Sequence, residues 1–378
     1  MQVTINRAQL LYAARCAASI APGSSTIKEM TGTLLETDAA SGMLTVTATN
    51  TELSLEQKLP CVSCEEDALV VNARLLAAMV EKFSGDKVEL SRSGHSPQLR
   101  LVSGDTEYTV PIFEKGGFPK PVIPFPEDTV PVSGIPSMTQ RTVFAASRDS
   151  KEQRPLLKCV NLMFTKDGLR ATGSDGTCII TASGDSKSTG DVSLLLPALS
   201  LEKLARMCRD GDIFRVGTTG KMVTFLRENF VYCARLMGGT YIDTQRLTAS
   251  IQPQFQVMTD IPVLRRGLES VLSCDPDGKI GLLFDGQRLT FHSQGTFGRA
   301  AVPVEVIPLK GTAYGESWFL PTQLECCLRA LSGNVRLGIA NGGMLVLETE
   351  DALYMQTAVR TPTTQAEAAA KKPMKPAA

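Results

Sequence analysis

The sequence predicts an α+β fold built from three similar units, and three observations predict it. The same order of elements, strands and helices alternating as strand, helix, strands, helix, strands, occurs three times along the chain. Corresponding helices lie roughly 125 to 130 residues apart, and a third of 378 residues is 126. A composition of 43% hydrophobic and 21% charged residues supplies a sizeable core and lies far from disordered or fibrous chains. Helices packed on antiparallel sheets bury the apolar faces of both, which is the natural arrangement for each unit.

The first helix of each third reads Leu10-Leu11-Tyr12-Ala13-Ala14-Arg15, Arg141-Thr142-Val143-Phe144-Ala145-Ala146-Ser147-Arg148 and Leu264-Arg265-Arg266-Gly267-Leu268-Glu269-Ser270-Val271. Between the helices of each third, short alternating runs punctuated by glycine predict strands: Gly42 to Ala48, Gly168 to Thr172 and Gly286 to Phe291. The second helices follow at Asn72 to Val80, Leu199 to Met207 and Thr322 to Leu331, with Pro197 and Pro321 suited to a first helical turn. Each third then closes on two more strands: Lys87 to Leu90 with Gln98 to Leu101, Ile213 to Val216 with Met222 to Phe225, and Val335 to Ile339 with Met344 to Leu347. Proline-rich or polar joints at 118–131 and about 248–253 place domains at 1–125, 126–250 and 251–361. Residues 362–378, rich in Ala, Lys and Pro, read as a disordered tail.

No stretch reaches the roughly 18 apolar residues of a membrane span, and Arg15 interrupts the only run resembling a signal segment. Ten cysteines without framework spacing suit a reducing compartment, so the expectation is a cytoplasmic protein with no membrane partner. Enzyme signatures are missing: there is no Gly-x-Ser-x-Gly elbow, phosphate-binding loop, HExxH or dinucleotide fingerprint. The two histidines, His95 and His292, sit in turn-like or strand-like surroundings. Cys61 and Cys64 form a lone CxxC that a zinc site or redox pair would need to double or set in a βαβ unit. Glu65-Glu66-Asp67 reads as a solvated turn before a strand. The expectation is therefore no enzymatic activity, no catalytic or metal-binding residues and no cofactor; a thiol or metal enzyme centred on Cys61 and Cys64 is the competing reading, and stoichiometric zinc would favour it.

Charge is balanced overall, 39 basic against 39 acidic residues, but it is unevenly placed. Helical windows at 6–20, 72–83, 137–148, 198–209, 261–273 and 321–332 carry twelve basic residues against four acids, or +8, leaving −8 on the rest of a neutral chain. Widening each window by one residue adds Asp149, Asp210 and Asp260 and lowers the figure to +5 without changing its sign. Basic helices in an otherwise acidic protein suit a surface that tracks phosphates; the plainer reading is that Lys and Arg favour exposed helical positions. Because no aromatics accompany the charges, duplex backbone contact fits better than base stacking.

Two segments stand out, Arg154-Pro155-Leu156-Leu157-Lys158-Cys159-Val160 and Gly173-Ser174-Asp175-Gly176-Thr177-Cys178-Ile179-Ile180. They resemble the RPxL and ATDxxRLA segments of the bacterial DNA polymerase III beta subunit family, the sliding clamps, and the resemblance covers residues 1 to about 361. Thr47 to Leu53, Gly117-Phe118-Pro119, Leu236 to Arg246 and the closing Thr357-Ala358-Val359-Arg360-Thr361 add to it in order. The resemblance implies three clamp domains per chain, each with two helices on antiparallel sheets, and a head-to-tail ring dimer of six domains around duplex DNA. It implies sequence-independent contact with double-stranded DNA. It also implies a homodimer and partners, DNA polymerase III and a clamp loader, that dock short linear peptides.

Carried over position by position, the implied peptide cleft uses Arg154 and Leu157; Ser174, Gly176, Thr177, Cys178 and Ile179; Ile242, Arg246 and Leu247; and Met344, Met355, Thr357, Ala358, Val359 and Arg360. The implied DNA-facing residues are Lys28, Arg74, Arg141, Arg148, Lys203, Arg206, Arg265, Arg266 and Arg329. The chain departs from the family at Cys178, where a basic residue is usual, at Ile242 and Thr244 in place of Pro and an aromatic, and at Ala358 in place of Pro. Ser24 or Ser25 stands where the family has a basic loop residue, and Lys371, Lys372 and Lys375 lie beyond the usual end. Two alternatives within the same fold are a divergent paralogue serving a mobile element or repair, and a scaffold that has lost DNA binding.

Overall fold

Alternating strands and amphipathic helices assemble as expected in the computed structural model of the chain. The structure describes residues 1–360 apart from Cys64, His95, Ser250, Asp277, Thr296, Phe297 and 312–314. Cys64, His95, Thr361 and the tail at 362–378 therefore lie outside the described residues. The helices are α1 (Arg7–Ile20), α2 (Ala73–Lys82), α3 (Ile135–Thr142), α4 (Ala198–Arg206), α5 (Thr244–Ala249), α6 (Ile261–Leu272) and α7 (Pro321–Ala330). Strands Gln2–Asn6, Val130–Val132 and Pro253–Asp260 precede α1, α3 and α6, and three strands follow each of α2, α4 and α7, so the predicted order of elements recurs three times.

Contacts gather the chain into two units. The first comprises Met1–Pro136, Met163–Gly168 and Asp185–Gly238. In it, eight strands follow one another as Gln2–Asn6, Lys87–Ser91, Gln98–Ser103, Thr106–Phe113, Asp67–Asn72, Gly32–Asp38, Met43–Thr49 and Leu53–Ser63, and the last pairs back to the first. The circuit closes because Val3, Thr4 and Ile5 meet Ser63, Val62 and Cys61 in antiparallel register. Leu44, Val46 and Ala48, all fully buried, alternate beneath α1, whose Leu10, Ala13, Ala14, Ala17 and Ile20 face inward. Both helices start where a strand ends in asparagine: Asn6 Oδ1 accepts the Ala8 and Gln9 N–H groups, and Asn72 Oδ1 accepts that of Leu75. The Glu65 to Asp67 segment is only partly a solvated turn, since Asp67 opens a strand and pairs with the Met1 ammonium at 2.9 Å.

The second unit comprises Ser137–Leu162, Leu169–Gly184 and Gly239–Ala378. Strands Gly168–Ser174, Cys178–Gly184, Ala352–Gln356, Leu345–Glu348, Asn334–Ala340, Pro253–Asp260 and Ile307–Lys310 lie side by side in that order. A separate sheet orders Gly298–Val304, Leu289–Gly295, Ile280–Phe284 and Gly315–Phe319, with α6 against it. That helix approaches closely because position 267 is glycine: a Cβ there would stand 2.9 Å from both Phe291 and Val304.

Three local readings need correction. The strand expected from Gly286 starts at Leu289, because the Asp285 carboxylate caps a turn by accepting the Gln287 and Arg288 N–H groups. The helix expected through Arg148 ends at Thr142, whose hydroxyl bonds back to the Met138 carbonyl, and a 3-10 turn follows, leaving Arg148 in a loop. The joint expected at 248–253 is preceded by α5, a six-residue helix started by Asp243, which accepts the Arg246 N–H.

Candidate functional site

The residues expected to form a partner cleft come together in the second unit. Ser174, Gly176, Thr177, Cys178, Ile179, Ile242, Leu247, Met344, Met355 and Thr357 line one cavity of about 200 Å³, together with Ile251 and Gln356. Two strands carry its floor, Cys178–Gly184 against Ala352–Gln356, with Ile179 facing Met355 across the pair. The strand from Gly168 brings Ser174 opposite Ile179. The lining is predominantly aliphatic and thioether, so the cavity accepts apolar side chains and rewards their desolvation.

The turn at Asp175 shapes one wall. Its Oδ1 accepts the N–H groups of Thr177 and Cys178 at 2.7 and 2.8 Å and the Thr177 hydroxyl at 2.8 Å, while Oδ2 accepts from Gln323 at 3.2 Å. Burial works to raise this carboxyl, but the hydrogen bonds from Cys178 and Thr177 outweigh it and hold the group below the usual carboxylate range. The same turn requires glycine at 176, where φ is +89°, and a Cβ would stand 3.2 Å from Leu157 and 3.3 Å from the Arg154 guanidinium. Leu157 and Arg154 thus border the cavity.

Thr357 is held by Thr177, whose carbonyl accepts its N–H at 2.9 Å, and the Val359 N–H reaches the Trp318 carbonyl at 2.7 Å. Ala358 follows the strand and lies against Gly343, where a Cβ would come within 3.1 Å of its methyl. The Arg360 carbonyl accepts from Lys279 Nζ at 2.9 Å. The side chains of Arg154, Arg246 and Arg360 are exposed. Arg154 makes a two-pronged contact with Glu152, at 2.9 Å on each prong, which holds that carboxyl down at about 2. Cys178 is buried, and burial with Asp175 beside it pushes its thiol far above the ordinary range, so the position presents a neutral group.

Ile251, Gln356 and Gln323 were not expected from sequence. Ile251 falls in the stretch read as a joint, and Gln356 is a polar residue in a strand whose amide is consumed internally, donating to the Leu320 carbonyl and accepting from Tyr354. Strand register places Gln356 at the cavity, and Ile251 reaches it from the segment between α5 and the strand Pro253–Asp260.

The basic residues expected to face DNA divide between the units. In the first, Lys28, Arg74 and Arg206 are exposed, and Lys203 is half-buried. The Arg74 guanidinium lies over Gly23, and Lys203 has its ammonium pushed down by burial and then by Arg74 nearby. In the second, Arg148, Arg266 and Arg329 are exposed and Arg265 is half-buried; Arg329 pairs with Glu325 one turn earlier. Arg141 is a correction. It is 16% exposed, donates to the Ser183 carbonyl and pairs with Asp351 at 2.7 Å, so its charge is spent inside its own unit rather than offered to a ligand. Cys61 is partly buried, and burial raises its thiol, which disfavours a thiolate nucleophile. Among the described residues no helix is long and apolar enough to cross a membrane.

These features can be set beside known proteins. Residues 1–123 match the family model described as DNA polymerase III beta subunit, N-terminal domain. The chain is 23% identical over 262 residues to the beta sliding clamp of Bacillus subtilis, covering 65% of this chain and 68% of that one. The solved DNA polymerase III beta subunit of Thermotoga maritima superposes with a TM-score of 0.85 at 19% identity, covering 96% of this chain and all of the other. The Pseudomonas aeruginosa clamp solved bound to griselimycin gives 0.83 at 18%, with the same coverage. The fold is that of a sliding clamp. The family match covers the first third of the chain, and the likeness in fold to solved DNA polymerase III beta subunits extends over 96% of its length.

Proposed function

We propose that this chain works in the cytoplasm as a DNA sliding clamp without bond-making chemistry. Each chain contributes clamp domains at 1–125, 126–250 and 251–361, and two chains join head to tail into a ring of six around duplex DNA. A ring cannot leave a duplex sideways, so a polymerase tethered to it stays near its template at high effective concentration. Contacts to the duplex go to phosphates and read no sequence, because base-specific contacts would halt sliding. The basic surface we assign is Lys28, Arg74, Lys203 and Arg206 with Arg148, Arg265, Arg266 and Arg329, leaving out Arg141.

One observation carries the reading: a family-wide fold likeness coincides with an apolar cavity built from the residues that the RPxL-like and ATDxxRLA-like segments bring together. The polymerase and the clamp loader dock there through short linear peptides, with Leu157, Ile179, Leu247 and Met355 taking apolar side chains and the rim arginines taking polar groups. A relative of this fold binds griselimycin, which supports a ligand-accepting surface.

Light scattering combined with retention on nicked circular DNA, with clamp loader and ATP, tests the reading. A mass near twice 40.6 kDa, and protein that stays on circles but runs off them once linearised, is the expected result. A monomer retained on neither DNA refutes the ring.

A further inference from the structure

The apolar cavity does not end at the residues that make it a peptide cleft. Its floor is one face of four neighbouring strands, and successive rungs on that face can be read from the register. The first rung is Ser174, Ile179, Met355 and Val346, and three of these four line the apolar cavity. The next rung on the same face is Thr172, Thr181, Leu353 and Glu348. Beyond it Arg170 stands opposite Ser183, whose N–H donates to the Asp351 carbonyl at 2.7 Å.

These further rungs line a second hollow of about 250 Å³. Helix α5 and the residues just before it reach both hollows: Ile242 and Leu247 line the apolar one, and Thr244 the second. The chemistry changes from one to the next. Glu348, Glu350 and Asp351 supply three carboxylates to the second hollow against a single lining cation, Arg170. Two of the three already have partners, Asp351 in Arg141 and Glu348 in Arg336, the latter an exposed contact at 3.3 Å. Exposed pairs of that kind are weak and exchange readily. Among the described residues Glu350 has no hydrogen-bond or ion-pair partner.

We propose that the two hollows form one continuous groove, and that it favours peptide partners with an apolar anchor in the first hollow and a lysine or arginine in the second. This rests on the reading of the first hollow as a peptide cleft. Rungs on one face of a strand are about 7 Å apart, so an extended peptide spans the step with about two to four residues. A cation so placed meets Glu350 and competes with Arg336 for Glu348.

Fluorescence anisotropy with the full chain tests this, using labelled peptides of the QLxLF type extended at either end by two glycines and then Lys, Gly or Glu. The unextended peptide binds if the cleft reading holds. The lysine extension at one end should then tighten binding about two- to fivefold over the glycine one, the range of an exposed ion pair, with glutamate weaker than glycine. The double variant Glu348→Gln, Glu350→Gln should erase the lysine-to-glutamate difference and leave the unextended peptide unchanged. Equal affinity for lysine and glutamate extensions at both ends, with the unextended peptide bound, overturns the second hollow alone. Failure of the unextended peptide to bind overturns the cleft and this inference with it.

Discussion

At the scale of the residue, Asp175 organises the cleft wall. Its folded carboxyl lies below its ordinary range, so the ionised form is bound more tightly by the fold than by the unfolded chain. The resulting stability is therefore fully present above the unfolded value of about 4 and is lost as pH falls through the lower folded value. Asp175→Ala should cost about 1–3 kcal/mol at pH 7, since it strands the N–H groups of Thr177 and Cys178, and urea titrations should show that cost shrinking toward pH 3. Met344, half-buried at the cavity edge, answers a different question. Met344→Glu should leave the thermal midpoint nearly unchanged and abolish binding of a QLxLF-type peptide in anisotropy, because it places an unpaired charge in an apolar cavity. Cys178, Ile242 and Ala358 depart from the segments the chain resembles, and each keeps its position apolar or neutral; under the proposed function the departures should alter partner preference rather than destroy the cavity.

At the scale of the element, α6 shows how close packing constrains the repeat. Glycine in a helix interior ordinarily costs about 1 kcal/mol relative to alanine, so Gly267→Ala would stabilise an isolated helix. In the folded chain the new methyl meets Phe291 and Val304, both buried, at 2.9 Å. Overpacking of this kind costs about 1–3 kcal/mol, and the variant should have a lower urea midpoint than the parent despite its better helix propensity. The helix charges also look different once elements are in place. Arg74 and Lys203 share one neighbourhood, and the depressed ammonium of Lys203 reflects burial and a cation nearby. An anion near this pair would relieve that repulsion, which supports the proposal that the two contact phosphate.

At the scale of the whole molecule, the proposed ring makes DNA affinity a matter of counterion release. Removing one cation that neutralises a phosphate makes the slope of log affinity against log salt shallower by about 0.9. The double variant Arg74→Ala, Lys203→Ala should flatten that slope and weaken retention on duplexes of any sequence alike, whereas Arg141→Ala should lower stability and leave the slope unaltered. Filter binding across a salt series separates the two outcomes.

Much of this was legible in the chain itself. Among the described residues, periodicity marked five of the seven helices within a few residues and caught only the end of α3, because apolar spacing and the Pro start signals are local properties. The threefold recurrence was legible for the same reason. The RPxL-like and ATDxxRLA-like segments marked Leu157, Gly176 and Ile179 through the resemblance, and the structure brings the three to one cavity and its border. Tertiary structure alone decided the rest. Helix α5 is too short for periodicity to register, and Gln356 reaches the cavity only through strand pairing between residues about 180 positions apart, as Cys178 opposite Gln356 shows. Arg141 looked like any exposed helical cation until the hairpin carrying Asp351 was brought beside it, because a charge partner 210 residues away leaves no trace in local pattern.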